Sequence, residues 1–344
     1  MNWTQKLLQW YSENKRAFLW RETQEPYKVW LSEIILQQTR TAQGLPYFKR
    51  FIETFPTLEA IALASEDQVL KLWQGLGYYS RARNLHFTAQ YIHTHLKGQF
   101  PKTFHDLMAL KGVGDYTASA IASICYGLPE PVVDGNVYRF LSRYFGISTP
   151  INTPIAHRTF KAKAKQLMGQ AAPGIFNQAM MEFGALQCIP QNPKCTDCPF
   201  ILDCNAYNQD KIDFFPVKHQ QQKVRTRFFN YLVISDPDQN YLMEKRTQKG
   251  IWQNLYQFPL IETNGPIKSS EKLKVRSEYP SELAKLPTAL WNRTPITHKL
   301  THQILEVNFW LIQAKTKAQK AYSKDAIKAL AVPVVVQNFI KEFF

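Results

Sequence analysis

Leu110-Lys111-Gly112-Val113-Gly114-Asp115 is the stretch on which the fold reading turns. Apolar residues recur at helical spacing on both sides of it, over 104–110 and over 115–126, so two helices with a two-glycine turn between them are predicted. Glycine tolerates positive φ and carries no Cβ, which leaves the backbone amides at the start of the second helix open to a phosphate. The spacing therefore predicts a helix-hairpin-helix in which Gly112 and Gly114 approach nucleic-acid backbone. A two-glycine turn also joins purely structural helices, so the rest of the chain has to decide.

Working outward, residues from Asn2 to about Asn205 keep three- and four-residue apolar spacing, as in Leu7, Leu8 and Tyr11 or in Ile121, Ile124 and Cys125. The stretch 205–223 is polar, includes Gln220, Gln221 and Gln222, and lacks a sustained apolar face, so it reads as a linker. Beyond it, 227–235 and 241–246 are strand-like runs separated by the turn formers Asp236, Pro237, Asp238 and Asn240. Another strand-like run covers 302–312, and an amphipathic helix is predicted around 335–344. The expectation is a multidomain chain: an all-α domain over 1–205, a linker over 206–223, and an α+β domain over 224–344.

Two domains also suit the bulk properties, since 344 residues at 45% hydrophobic exceed what one core usually serves. The 42 Lys and Arg against 27 Asp and Glu give a net charge of +15, which points to a polyanion, either nucleic acid or an anionic membrane surface. The apolar run at 332–336 is broken by Pro333 and falls far short of the roughly 20 residues a membrane-spanning helix needs. The first fifteen residues carry Trp3 and Glu13 in place of a basic start and an apolar core, so no secretory leader is read. A cytoplasmic protein is expected, associated with the nucleoid if the polyanion is DNA.

Four of the five cysteines, Cys188, Cys195, Cys198 and Cys204, fall in one short segment after the helical run 180–186. In a reducing compartment this reads as metal ligation, and four thiolates can enclose a [4Fe-4S] cluster or a structural zinc. Zinc frameworks commonly pair two short Cys hairpins, whereas here only Cys195 and Cys198 form one, which favours the cluster. Its expected role is to brace a loop presenting Lys194 to phosphate. Cys125, in the apolar run 118–126, reads as a small core residue.

Two carboxylates stand out. Asp134 follows Val132 and Val133 and precedes Gly135 and Asn136 at the start of a predicted helix, where capping is the ordinary role of an Asp. Glu33 lies in the helical run 27–38 with Val29, Trp30, Leu36 and Gln37 as its helical neighbours. On that apolar face its carboxyl would be desolvated and its pKa raised toward that of a useful general acid; the alternative is an exposed Glu paired with Lys28 or Arg40. Paired carboxyl groups in unlike environments suit N-glycoside cleavage, one protonating the leaving group and the other stabilising a cationic sugar.

Taken in order, Trp20-Arg21, Leu31-Ser32-Glu33, Leu36-Gln37-Gln38-Thr39, Gly75-Leu76-Gly77-Tyr78-Tyr79, the glycine hairpin, Asp134-Gly135-Asn136 and the four cysteines resemble the adenine DNA glycosylase (MutY) family of helix-hairpin-helix iron-sulfur glycosylases. The resemblance implies base-excision repair of duplex DNA, removing adenine opposite 8-oxoguanine or guanine, by a monomer carrying a [4Fe-4S] cluster. It implies that Glu33 protonates the flipped adenine and then activates water, that Asp134 stabilises or traps the cationic sugar, and that Tyr116 and Asn136 complete the catalytic group. Arg16, Phe18, Trp20, Arg21 and Gln178 would form the adenine pocket. Gln38, Thr39, Leu76 and Tyr78 would enter or flank the duplex beside the oxidised base, and Arg81 and Arg83 would contact phosphate.

In the related endonuclease III-like glycosylase-lyases a Schiff-base lysine follows the hairpin, and here that position is Tyr116, which implies cleavage without efficient β-elimination. The C-terminal stretches Lys245-Arg246, Gly250-Ile251-Trp252 and Leu255-Tyr256-Gln257-Phe258-Pro259 resemble the Nudix-related domain that ends the family's chains. Glu262, Glu271, Glu278 and Glu282 are too scattered for a Nudix magnesium helix, so recognition of 8-oxoguanine, not hydrolysis of nucleotides, is implied. The family's Phe-Ser-His recognition loop reads Leu300-Thr301-His302 here, keeping the hydroxyl and the imidazole and losing the aromatic ring. The competing readings are a glycosylase-lyase for oxidised pyrimidines, disfavoured by Tyr116, and a catalytically idle DNA-binding protein, disfavoured by retention of Glu33 and Asp134.

Overall fold

A computed structural model describes residues 1–219, 224–317 and 320–344. The chain folds as two compact units, Met1–Leu63 with Asn84–Gln220, and Ala64–Arg83 with Gln221–Phe344. Among the described residues no helix is long and apolar enough to cross a membrane.

The first unit is helical: α1 Trp3–Asn14, α2 Pro26–Leu36, α3 Thr41–Thr54, α4 Leu58–Leu63, then, beyond α5 Glu66–Trp73 of the second unit, most of α6 Ser80–His95, followed by α7 Phe104–Met108, α8 Asp115–Tyr126, α9 Gly135–Phe145, α10 Pro154–Met168, α11 Pro173–Leu186 and α12 Asn205–Asn208. Local chemistry sets the ends. Asn2 caps α1 in a box with Gln5, Thr153 caps α10, proline opens α2, α10 and α11, and Gly127 and Gly146 close α8 and α9 in the left-handed region. The core gathers Leu7, Trp10, Phe140, Phe160, Phe176 and Phe183 from α1, α9, α10 and α11.

The hairpin lies between α7 and α8 as the glycine spacing requires. Gly112 has φ +80, and a Cβ there would meet the Asn84 side chain at 2.7 Å. A Cβ at Gly114 would meet nothing within 4 Å, so the start of α8 is open. The helix expected over 27–38 ends at Leu36, because Gln37 leaves helical geometry and Gln38 takes φ +54. The stretch read as a linker is tied down as far as residue 219. Ala206 and Phe215 are buried, and Arg143 Nε donates to the Ile212 and Phe215 carbonyls. Gln220, Gln221 and Gln222 lie outside the described residues.

The second unit is built on a mixed sheet. β1 Arg225–Ser235 pairs in parallel with β8 Gln303–Gln313 along its whole length, Arg225 opposite Gln303 through Ser235 opposite Gln313. A parallel pair needs a long crossover, and the chain between supplies β2 Tyr241–Leu242, β3 Glu244–Lys245, β4 Tyr256–Gln257, β5 Leu260–Thr263, α13 Ser270–Lys274, β6 Thr288–Leu290 and β7 Ile296–Lys299. β5 runs antiparallel to β1, β6 and β7 antiparallel to β8, and β9 Ala321–Tyr322 closes the edge on β2. The run expected as one strand over 241–246 divides at buried Met243: β2 joins the large sheet and β3 pairs with β4. α14 Lys324–Ala329 and α15 Val334–Phe343 follow, with Phe339 stacked on Phe309 of β8 at 4.0 Å. An all-α half followed by a sheet-and-helix half is thus the architecture expected from the sequence.

Candidate active site

The first unit contains a cavity of about 200 Å3 that brings together Arg16, Phe18, Trp20, Arg21, Glu33, Tyr116, Asp134, Asn136 and Gln178, which are the sequence-selected catalytic and pocket residues, with Thr39 at its edge. They come from the loop after α1, from α2, from the first turn of α8, from the start of α9 and from α11. Glu33 is buried, 7% exposed, and its Oε2 has no hydrogen-bond partner. Burial pushes its carboxyl up to about 7; hydrogen bonding to Tyr116 and the charge of Arg21 pull the other way, while Asp134 adds to the rise. Its burial contradicts the alternative of an exposed, paired Glu33, and Lys28 bridges instead to Glu25 at 2.8 Å.

Asp134 does cap α9: Oδ1 accepts from the Asn136 and Val137 amides at 2.9 and 2.8 Å, and Oδ2 accepts from Asn136 Nδ2 at 2.8 Å. Burial raises its pKa, and these donors, with Arg139, oppose the rise. Capping therefore aims the carboxylate instead of using it up. Burial also pushes the Tyr116 phenol well above its ordinary value, so it stays protonated beside Glu33.

Sequence reasoning missed three charged residues around the site: Glu182 and Arg139 hold this group in place, and Arg143 holds the cysteine loop. Glu182, 1% exposed, accepts from Arg16 Nε and Nη2 at 2.8 and 2.7 Å and from Arg21 Nη2 at 2.8 Å. Burial alone would raise its carboxyl, but the two guanidiniums outweigh that and hold it at about 2. The pinned cations flank Phe18 at 5.1 and 4.9 Å, and Phe18 stacks on Trp20 at 4.9 Å. Glu182 stands one helical turn after Gln178 on α11, a spacing that could have revealed it. Arg139 Nη2 donates to Asn136 Oδ1 at 2.9 Å and its Nε to the Cys188 carbonyl at 2.7 Å. Arg143 Nη1 reaches Cys188 Sγ at 3.6 Å.

Cys188, Cys195, Cys198 and Cys204 line one cavity with Arg143, Phe140 and Phe200. Among the described residues no group of three or more Cys, His, Asp or Glu converges tightly enough to hold one metal ion. Cys125 is partly buried and sits apart from the four, its thiol pushed up to about 12 by burial.

In the second unit, Tyr78 is 43% exposed at φ +47, and its hydroxyl hydrogen-bonds that of Thr301. Leu76, Tyr78, Leu300, Thr301 and His302 line a cavity of about 390 Å3 together with Trp252. The 300–302 turn joins β7 to β8, with the Leu300 amide donating to the Gln303 carbonyl at 2.8 Å. Arg81, expected at phosphate, is 8% exposed and donates Nη2 to the Leu76 and Gly77 carbonyls, bracing the Tyr78 loop from inside. Arg83, expected there too, donates Nη1 to the Gln253 carbonyl at 2.8 Å. Glu262 is engaged by Arg227 at 2.6 Å, apart from Glu271 on α13.

Residues 31–166 match the family of HhH-GPD superfamily base excision DNA repair proteins, and residues 230–342 match the NUDIX domain family. An adenine DNA glycosylase of Buchnera aphidicola subsp. Schizaphis graminum is 39% identical over 276 residues, 79% of this chain and 78% of that protein. One from Buchnera aphidicola subsp. Acyrthosiphon pisum is 35% identical over 90% of this chain and 86% of its own. A solved thermostable thymine-DNA glycosylase superposes with a TM-score of 0.56 at 28% identity, covering 60% of this chain and 95% of that one. With relatives of this identity matched over most of their length, the chain belongs to the adenine DNA glycosylase family and is a DNA N-glycosylase that excises adenine.

Proposed function

We propose that the chain, acting as a monomer, excises adenine mispaired with 8-oxoguanine or guanine in duplex DNA, by flipping the adenine into the Glu33 cavity. The observation that carries this is Glu33 itself: a buried carboxyl poised near 7, with one oxygen unpartnered, in the same cavity as Asp134. A group with that pKa holds its proton in part of the population at neutral pH and can hand it to the base. The neutral leaving adenine departs from a sugar with cationic character, which the Asp134 carboxylate stabilises across the cavity. Asn136 fixes the orientation of that carboxylate, and Glu33, now ionised, takes a proton from the incoming water. The edge of the base meets Gln178 and the guanidiniums held by Glu182, and Phe18 and Trp20 supply aromatic faces.

Cys188, Cys195, Cys198 and Cys204 line one cavity, with Phe140, Phe200 and Arg143 among its other walls, and their four thiolates would hold a [4Fe-4S] cluster. Those thiolates would thereby brace the loop that carries Lys194. Arg143 and Arg139 hold the Cys188 end of that loop to α9, where Asp134 and Asn136 lie. The Leu300-Thr301-His302 turn with Tyr78 reads the oxidised base, and Gln38, exposed in a left-handed turn, occupies the gap left by flipping.

Single-turnover cleavage of a duplex with adenine opposite 8-oxoguanine tests the chemistry. Wild type releases adenine, and Glu33→Gln and Asp134→Asn each lower the rate at least a hundredfold; unchanged rates in either variant remove that residue's role. Thr301→Ala with His302→Ala lowers the preference for 8-oxoguanine over guanine, and Cys198→Ser loses iron and acid-labile sulfide together.

A further inference from the structure

A second cavity of about 790 Å3 adjoins the first within the same unit, within the roughly 300–1,000 Å3 range of small-molecule sites. Arg16, Phe18, Arg21, Ile124 and Gln178 line both, so these five side chains form the wall between them. Glu33 and Asp134 line the first cavity and not the second. A flipped nucleotide keeps its sugar joined to the duplex at the mouth, and its glycosidic bond must meet the two carboxylates. The far edge of the base therefore points to the shared wall.

That placement poses a problem at the end of the reaction. Once the bond is cut, abasic DNA still covers the mouth, held by a protein of charge +15. The shared wall offers the other way out. Its parts are side chains: Phe18 is held by stacking on Trp20 and between two guanidiniums, and Gln178 by one hydrogen bond, its Oε1 accepting from the Tyr11 hydroxyl at 2.9 Å. Ring and amide can turn without moving a helix. The second cavity mixes apolar Leu8 and Ile175 with Tyr11, Ser12 and Lys15, which suits a flat, neutral, hydrogen-bonding heterocycle.

We propose that the second cavity is an exit vestibule for free adenine, which leaves rearward past Phe18 and Gln178 while the abasic duplex is still bound. This rests on the reading of the first cavity as the adenine pocket. Ser12 and Ile175 lie on exposed positions of α1 and α11, outside the pocket, so filling the vestibule there leaves the chemistry intact.

The test uses the cluster-loaded full chain and a biotinylated duplex on streptavidin beads, with tritiated adenine opposite 8-oxoguanine. Alkali-induced strand scission reports cleavage, and tritium in the wash reports release. Wild type releases label at the cleavage rate while the protein remains on the beads. Ser12→Trp combined with Ile175→Trp cleaves at the wild-type rate but releases label at least tenfold more slowly, in step with its own dissociation. Ile175→Arg obstructs the same space with different chemistry and gives the same split should the double variant fail to fold. Label leaving both filled variants as fast as it is cut, or leaving wild type only together with the protein, overturns the vestibule. Absence of any cleavage by wild type instead overturns the reading of the first cavity, and the vestibule with it.

Discussion

Glu33 concentrates the cost and the use of the site in one carboxyl. Its folded-state value of about 7 lies above the ordinary 4.5, so between those pH values the folded chain keeps a proton that the unfolded chain has lost. Stability therefore falls as pH rises through that window, by about 3 kcal/mol in full. Glu33→Gln escapes this: in urea titrations it should exceed wild type by about 3 kcal/mol near pH 8 and gain nothing below pH 4. Catalysis by the protonated acid should decline as pH rises past about 7, seen in single-turnover rates. Glu182 has the opposite sign. Its carboxyl, held at about 2, stabilises the fold above 4.5 and loses that contribution as pH falls toward 2. Glu182→Gln strands two guanidiniums beside Phe18, so a loss of roughly 3 kcal/mol in thermal or urea unfolding is expected, with a larger fall in cleavage rate than in DNA affinity. The two carboxylates differ in how far the sequence disclosed them. The apolar helical neighbours of Glu33 hinted at its burial while leaving an exposed pairing with Lys28 or Arg40 open, whereas Glu182 is signalled only by its spacing from Gln178, its arginine partners lying more than 160 residues away.

Between elements, the contact that matters most is α11 against the start of α9. Gly184 makes it possible: a Cβ there would sit 2.6 Å from Asn136 Cβ and 2.7 Å from its carbonyl oxygen, in a backbone conformation any residue could adopt. Alanine in mid-helix would gain about 1 kcal/mol of propensity, but overpacking against backbone costs about 1–3 kcal/mol. The clash wins, so Gly184→Ala should lower stability modestly, by about 1 kcal/mol, and push Asn136 off Asp134. Its signature is a cleavage rate reduced tenfold or more with DNA affinity near wild type; an unchanged rate would show that the Asn136 contact does not orient the carboxylate. Helices and hairpin were readable from periodicity and glycine spacing, since caps and turns are local. The division of 241–246 into β2 and β3 was not, because the partner strands decide it: β2 pairs with β9, far along the chain, whereas β3 pairs locally with β4 in a separate small sheet.

At the scale of the whole molecule, the least legible feature is that Ala64–Arg83 groups with the C-terminal residues although the helices on either side of it in sequence group together. Periodicity assigned this segment to the helical half, correctly as to structure and silently as to partners. Its ties are specific. Lys71 Nζ donates to the Lys328 and Leu330 carbonyls at 2.6 and 3.0 Å, Asp67 bridges Lys245 at 2.6 Å, and Glu66 accepts from Asn254 at 2.6 Å. Val69, Leu70 and Trp73 of α5 are fully buried. A chain ending at residue 219 lacks every one of those polar partners. Hydrogen exchange should then show α5 amides losing protection tenfold or more while α8 and α9, whose core is drawn from the first unit, keep theirs. The Tyr78 loop follows α5 directly and would lose its anchor along with Thr301, so discrimination of 8-oxoguanine should fall further than cleavage of adenine does. Equal protection of α5 in both chains would mean that these polar ties to the C-terminal residues do not order the segment.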